Sequence, residues 1–524
     1  MQYCSPVYYL LFLPFVGGFY YICPKKKRWV ILLLASYLFF MSISRHLIVY
    51  LLFSTLSIYF IGLMLEKLQI QRDQAVKELE RKERKEIKKQ YKKKQLQLVV
   101  LGVILQIGLL IILKYSDFLG TNVNQIFHLS LPIYTFMVPI GISFYSLQAV
   151  SYIIDVYHEK IVADHHLGRV ALYMSFFPSL MEGPICRYEQ TAQALFSGSQ
   201  LDWQNIRFGL QRILYGLIKK MVIADRLNIL ITTVFKDYGK FDGGIIALAM
   251  VCYTCQLYME FSGTIDVVIG SGKIFGITMP ENFKQPFFSK SISEFWSRWH
   301  ITLGTWFKDY IYYPMSLSSS LRTLTKKARK YVGNYYGPLL SGTIALFCVW
   351  FCNGIWHGDA WNYIFFGMYH FSLIFLGNIF APLVSKMYEF THISKDCFVI
   401  KVLRMFKTAI LVCIGELFFR APGLKAGIKM FTQMVTQFSL ASFSDGKFLT
   451  LGVDDKDFLI VLVTCLLVFV ISVLKEKGVH ICSTIEKKNI VLRWTVWYVL
   501  IFYLIIFGAY GIGYIPVDPI YAGF

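Results

Sequence analysis

Charge is scarce in this chain: Asp, Glu, Lys and Arg make up 16% of 524 residues, the apolar share is 56%, and the mean hydropathy is +0.52. Such a balance excludes an ordinary soluble enzyme or a disordered tail and leaves a polytopic membrane protein. No long polar stretch could form a soluble domain, and no internal repeat recurs, so solenoid and propeller architectures are excluded as well. The first apolar segment, YYLLFLPFVGGFYYI, has no basic residue ahead of it and is followed at once by KKKR at 25–28. That polarity is the reverse of a cleaved signal peptide, and the segment reads as a retained helix with its amino terminus outside.

Acidic residues are the scarcer sign, 32 against 53 basic, for a formal net charge of +21. The basic excess sits in short segments between apolar runs, as expected for cytoplasmic loops facing anionic lipid, so lipid and not nucleic acid is the expected partner. Eleven cysteines are scattered, mostly within apolar runs. Cys252 and Cys255 form a CxxC, but no second pair lies at zinc spacing; they read as small hydrophobes, and no metal is implied.

About 20 apolar residues cross a bilayer as helix, fewer where other helices shield them. Candidate spans fall at 7–22, 29–42, 47–65, 97–114, 132–154, 168–181, 207–224, 243–260, 339–355, 360–385, 403–420, 456–474 and 490–514. The expected fold is all-α, with roughly eleven to thirteen transmembrane helices plus re-entrant or interfacial pieces. Four regions follow: amino-terminal spans at 1–65, a basic cytoplasmic helix at 66–96, a catalytic core at 97–390 and carboxy-terminal spans at 391–524. Residues 66–95 carry 12 basic and 6 acidic side chains without Gly or Pro. Pairs such as Asp73/Lys77, Glu78/Lys82 and Glu80/Arg84 predict one charged helix, readable as an extension of the third span, with a solvated cytoplasmic face. Further cytoplasmic candidates are 322–331 and 475–489.

Hydropathy drops between 261 and 314, while Gly, Pro and aromatic residues become dense. Asp266, Lys273, Glu281, Arg298 and His300 there would not face lipid, because ionisable groups at membrane depth survive only against protein or a water-filled cavity. Trp296, Trp299, Leu303 and Trp306 recur at three- and four-residue intervals, predicting an amphipathic helix with His300 near its middle and a Glu294/Arg298 pair on another face.

Of ten histidines, seven lie in loops or near basic segments and are expected to have no catalytic role; His300, His357 and His370 remain. His357 stands in NGIWHGDAWNY, where Gly354 and Gly358 leave room for a substrate or another backbone, and Trp356 and Trp361 can wall a cavity against lipid. A desolvated imidazole stays neutral near pH 7 and can act as a general base. Acyl transfer from a thioester to a hydroxyl needs little more than positioning, proton removal and a few donors for the oxyanion. Asn353, Asp359 or Asn362 could orient the ring, and His370 is either a supporting group or, the favoured reading, a helix-packing residue.

YMEFSGTIDVVIGSGKIFGITMPENFKQPF, SISEFWSRWHITLGTWFKDYIYYP and NGIWHGDAWNYIFFGMYH together strongly resemble the bacterial membrane-bound O-acyltransferases, of the alginate O-acetyltransferase and D-alanyl-lipoteichoic acid transferase type. VPIGISFYSLQAVSYIIDVY and LYMSFFPSLMEGPICRY extend the resemblance over about 130–375. It implies a ring of helices around a central funnel, in the bacterial cytoplasmic membrane. It further implies two essential histidines, His300 of the FWxRWH motif and His357 of the WHG motif, the latter as base. Trp299, Asn353, Trp356, Asp359, Trp361 and Asp266 are the candidate channel residues. The sequence departs from the family pattern after FSG, where Thr264 replaces the usual tyrosine while Asp266 is kept; Asp266 either shapes the channel or pairs with an Arg or Lys.

The implied reaction moves an acyl group, expected to be acetyl, from a cytoplasmic acyl-CoA or phosphopantetheine carrier-protein thioester to an extracytoplasmic cell-envelope polysaccharide. No bound cofactor is implied. Lacking a hydrolase-like soluble domain, the chain is expected to need a separate SGNH-like acyltransferase partner. D-alanyl transfer to teichoic acid is the alternative within the family. A transporter or flippase of a lipid or polysaccharide precursor is the alternative outside it, weakened by the missing half-to-half repeat. The basic 66–95 segment could also recruit an acidic carrier protein, with Lys85, Lys88 and Lys89 at the docking surface.

Overall fold

A computed structural model of the chain describes residues 1–510 and 513–518. Among the described residues the fold is all-helical, and the only strand-like pairing is an isolated bridge between Phe283 and Trp299. The helices of seven residues or more are, in order, α1 (Leu13–Ile22), α2 (Arg28–Ser44), α3 (Ile48–Ala75), α4 (Arg81–Phe127), α5 (Ile142–Tyr157), α6 (Leu167–Ser175), α7 (Tyr188–Ser197), α8 (Trp203–Ile218) and α9 (Asp225–Lys236). They continue as α10 (Gly243–Ile274), α11 (Ile292–Arg298), α12 (Ile301–Phe307), α13 (Ser319–His357), α14 (Trp361–Phe390), α15 (Phe398–Arg420), α16 (Leu424–Thr436), α17 (Asp455–Glu476) and α18 (Ile490–Phe507).

Among the described residues seven helical segments are long and apolar enough to cross a membrane: Lys25–Ala75, which contains α2 and α3, then α4, α10, α13, α14, α17 and α18. The eleven to thirteen spans expected from hydropathy are therefore not all met by length and composition. The stretch at 132–154 becomes helical only after Gly141, whose φ is +75°, and the one at 168–181 stops at Ser175 ahead of Pro178. Residues 207–224 carry Arg212, Lys219 and Lys220, and α15 carries Lys401, Arg404 and Lys407. Nearly every residue of α5 is buried. Helices shielded by protein on all sides need neither the length nor the uniform apolarity that lipid demands.

The chain divides into two compact units, the first Met1–Leu210 with Val268–Pro280 and the second chiefly Gln211–Val267 with Glu281–Ile520. In the first, α3, α4 and α5 pack together at close range. A Cβ on Gly102 of α4 would fall 2.6 Å from Ile153 of α5. Tyr3 donates its hydroxyl to the Phe177 carbonyl at 2.6 Å and accepts from the Met181 amide at 3.1 Å, while its ring stacks on Phe39. Van der Waals fit and satisfied polar groups of this kind hold helices together where lipid supplies no hydrophobic drive.

The expected single basic helix at 66–95 is broken: α3 ends at Ala75 and α4 begins at Arg81 with Glu80 as N-cap. Asp73 pairs with Arg72 instead of Lys77, and Arg72 also reaches Glu159 at 2.5 Å. The alternative partner beyond the helix is what the local i,i+4 rule does not see.

In the second unit, α13 and α14 form an antiparallel pair. A Cβ on Gly354 would lie 2.7 Å from the Tyr363 carbonyl oxygen, and one on Gly367 would lie 2.4 Å from that of Trp350. Only glycine allows the two backbones to approach this closely. At its other end α13 folds back at Gly333 (φ +81°), which lays its basic first half against Gly337 through Arg329. The cysteines are free thiols, and Cys255 of α10 lies 3.7 Å from Cys465 of α17.

Candidate active site

His357 is the last residue of α13, buried, and followed by Gly358 in extended conformation. Its ring packs edge-on against Phe419 of α15 at 5.3 Å and beside Trp356 at 5.0 Å. His300 does not lie mid-helix as the tryptophan spacing predicts. It occupies the break between α11 and α12, in a left-handed conformation with φ 48° and ψ 49°. The cause is a non-local clamp: Lys284 donates to the Arg298 carbonyl at 2.9 Å and Ile301 to the Asn282 carbonyl at 3.0 Å, across the Phe283–Trp299 bridge.

Asn282 also sets the His300 tautomer. Its Oδ1 accepts from the Thr302 amide and from the Thr302 hydroxyl, each at 3.0 Å, which fixes the oxygen toward the ring. His300 Nδ1 lies 3.3 Å from the same oxygen and must be the protonated nitrogen. Nε2 then carries the lone pair. Burial, and after it the neighbouring His357, push the His300 imidazole well below its ordinary pKa, so the ring is neutral at physiological pH. The rings of Phe261 at 4.9 Å and Trp356 at 5.8 Å complete its surroundings. Trp356 thus lies against both imidazoles.

A cavity of about 750 Å³ reaches His300. Its walls come from α11–α12, including Trp296, His300 and Gly304, and from α13, including Tyr335, Gly342, Trp350 and Asn353. The volume lies in the range of small-ligand sites. From Tyr335 to Asn353 the helix rises roughly 27 Å at 1.5 Å per residue. Tyr335 is exposed and Asn353 buried, so the cavity runs from an open end to an enclosed one at the histidine.

The other candidates scatter. Asn353 lines the cavity; Trp356 touches both histidines, and Trp356 and His357 lie outside the cavity lining. Trp299 is buried among Tyr258, Phe283 and Phe295, outside the cavity lining. Asp359 and Trp361 are exposed and also outside it. Asn362 reaches the carbonyls of Phe418, Phe419 and Ala421 at 3.3–3.4 Å, capping the end of α15. Asp266 pairs with Arg212 at 2.8 Å and Lys219 at 2.6 Å, and Arg212 continues to Glu281. The expected Glu294/Arg298 pair is present at 2.9 Å, extended by Glu476. Asn282 and Phe419 escaped the sequence reading, which placed Trp296 on an aromatic helix face but not in a cavity wall; the Asn282 contact is made by residues eighteen and twenty positions away, which no local spacing reports. Among the described residues no group of three His, Cys, Asp or Glu side chains is placed to hold a metal ion.

Comparison with known proteins shows the family. The sequence profile of the membrane-bound O-acyltransferase family matches residues 49–418. The “probable alginate O-acetylase” of Pseudomonas aeruginosa is 30% identical over 83% of this chain and 75% of its own length. The peptidoglycan O-acetyltransferase of Helicobacter pylori is 30% identical over 64% of each chain. The teichoic acid D-alanyltransferase of Bacillus subtilis is 28% identical over 53% of this chain and 68% of its own. With the family match spanning the cavity, both histidines and most of the helical core, this chain belongs to the membrane-bound O-acyltransferase family and is a multi-pass bacterial membrane acyltransferase.

Proposed function

We propose that the protein moves an acetyl group from a cytoplasmic thioester to a hydroxyl of an extracytoplasmic cell-envelope polysaccharide, with His357 as general base. The observation that carries this reading is the cavity that ends at His300 and Asn353, with Trp356 packed between His300 and His357. The open end of that cavity lies by Tyr335 and Pro338, next to the basic stretch at 322–331 that the positive-inside rule assigns to the cytoplasm. A pantetheine thioester entering there, from acyl-CoA or a carrier protein, brings its carbonyl to the histidines.

In the step itself, the acceptor oxygen attacks the thioester carbonyl carbon while His357 takes the hydroxyl proton. The tetrahedral adduct collapses, the C–S bond breaks, and the sulfur leaves with the proton returned by His357. An ester and a free thiol result, with no net proton change. His300 Nε2 accepts a hydrogen bond from a substrate N–H or O–H and so fixes its position. Acetyl is favoured over D-alanyl because the likeness to the O-acetylases covers more of the chain. An SGNH-like partner completes delivery to the polymer.

The test is polymer acylation, read by mass spectrometry, in cells carrying His357→Ala at wild-type membrane abundance. Loss of O-acetyl groups with the protein inserted and folded is the expected result. Wild-type acetylation, or D-alanyl esters in place of acetyl in the parent strain, overturns the assignment.

A further inference from the structure

The third buried histidine lies behind the cavity wall. His370 of α14 is fully buried and absent from the cavity lining, yet it touches both tryptophans that form that lining beside His300 and Asn353. Trp296 donates its indole N–H to His370 Nδ1 at 3.2 Å. Trp350 stacks on the same imidazole, with centroids 5.6 Å apart at 28°, and the two indoles meet edge to face at 4.8 Å. Phe366 closes the ring cluster at 4.7 Å from His370.

The site is built for this side chain. Gly415 of α15 lies directly behind it, where a Cβ would approach His370 Nε2 to 2.7 Å. Because Nδ1 accepts, Nε2 carries the proton, and the ring has one orientation in which it can serve Trp296. Trp350 and Asn353 are one turn apart on α13, and Trp296 lies in α11 four residues before His300 at the α11–α12 break. Each tryptophan therefore stands next to a polar group of the inner end, where the acyl group must stop for its carbonyl to meet the histidines. An indole that could turn would give a chamber of variable bore; the hydrogen bond removes that freedom.

We infer that His370 is a positioning residue that limits acyl length: by holding Trp296 against Trp350, it fixes the wall that an acetyl group clears and a longer chain does not. The inference rests on the acyltransferase reading above and adds the device that selects its substrate.

The experiment uses the full-length protein in envelope preparations of the source cells, which retain the acyltransferase partner and the polysaccharide acceptor, with S-acetyl- and S-butyryl-pantetheine as donors and an apparent kcat/KM for each donor. Wild type should prefer acetyl. His370→Phe keeps a ring but loses the acceptor, and Trp296→Phe loses the donor; each should raise the butyryl-to-acetyl ratio about tenfold, the worth of a few methylenes in an apolar pocket. His370→Asn, whose Oδ1 can replace Nδ1, should stay within roughly threefold of wild type on the same scale. If His370→Phe does not fold, Trp296→Phe decides alone. An unchanged ratio in these variants, a wild type that accepts butyryl as well as acetyl, or a His370→Asn ratio matching that of His370→Phe overturns the inference while leaving the acyltransferase reading standing. A wild type inert toward both thioesters overturns both.

Discussion

Asn282 Oδ1 lies 3.3 Å from His300 Nδ1, and Thr302 pins that oxygen through its amide and its hydroxyl. The proton on the imidazole is thereby assigned to one nitrogen by a residue far away in sequence. Replacing Asn282 with Leu should release the tautomer and the ring angle. We expect kcat to fall about ten- to a hundredfold, the range seen when a supporting partner of a functional histidine is lost, with KM changed far less. Steady-state acyl transfer by purified Asn282→Leu protein checks this; a proportional rise in KM at constant kcat would contradict it.

The left-handed backbone at His300 makes a separate prediction. Asn adopts that conformation readily, whereas a β-branched residue does not. Both His300→Asn and His300→Val should lose transfer activity. In thermal unfolding, however, the Val variant should be the less stable of the two by about 1–2 kcal/mol. Equal stability would mean that the break at His300 imposes no conformational demand.

Stability should also depend on pH through the same ring. His300 is held neutral in the folded protein, its pKa well below the ordinary value, while in the unfolded chain it titrates near ~6.5. Above that pH neither state binds the proton and the contribution is flat. Below it the unfolded state gains a proton that the folded state refuses, so stability falls as pH drops, by up to about 1.4 kcal/mol per unit. Melting curves of wild type and His300→Asn from pH 8 to 5 should diverge on the acid side, with wild type losing more.

Asp266 is the shared partner of Arg212 and Lys219, at a site where the lysine side chain is 4% exposed. Asp266→Ala leaves the buried Lys219 without its carboxylate, while Arg212 keeps Glu281, and should destabilise the fold by about 3–5 kcal/mol. Adding Lys219→Met should recover part of the loss. Detergent melting of the single and double variants separates this from a channel role, for which the second substitution would restore nothing.

The family was legible in the linear sequence, from long motifs and from the rarity of polar groups in apolar runs. Of the residues marked there, His300 and Asn353 line the cavity, while Trp356 and His357 pack beside His300 outside that lining. What could not be read is non-local. Trp296, Trp299, Leu303 and Trp306 keep helical spacing across a break imposed by residues 282–284, so periodicity suggested one helix where there are two. Hydropathy likewise counts apolar residues without knowing what they face, which is why the almost entirely buried α5 reads like part of a span. The interruption between Ala75 and Arg81 shows the same limit for charge: Arg72 takes Glu159, a partner outside its helix.

The close crossing of α13 and α14 also bears on movement. With Gly354 and Gly367 each pressed against the opposite backbone, the pair has no slack for sliding or tilting at the level of His357. The inner wall that α13 supplies is therefore rigid, and with His370 holding Trp296 opposite Trp350, an acyl chain that overfills this end meets no surface that can yield.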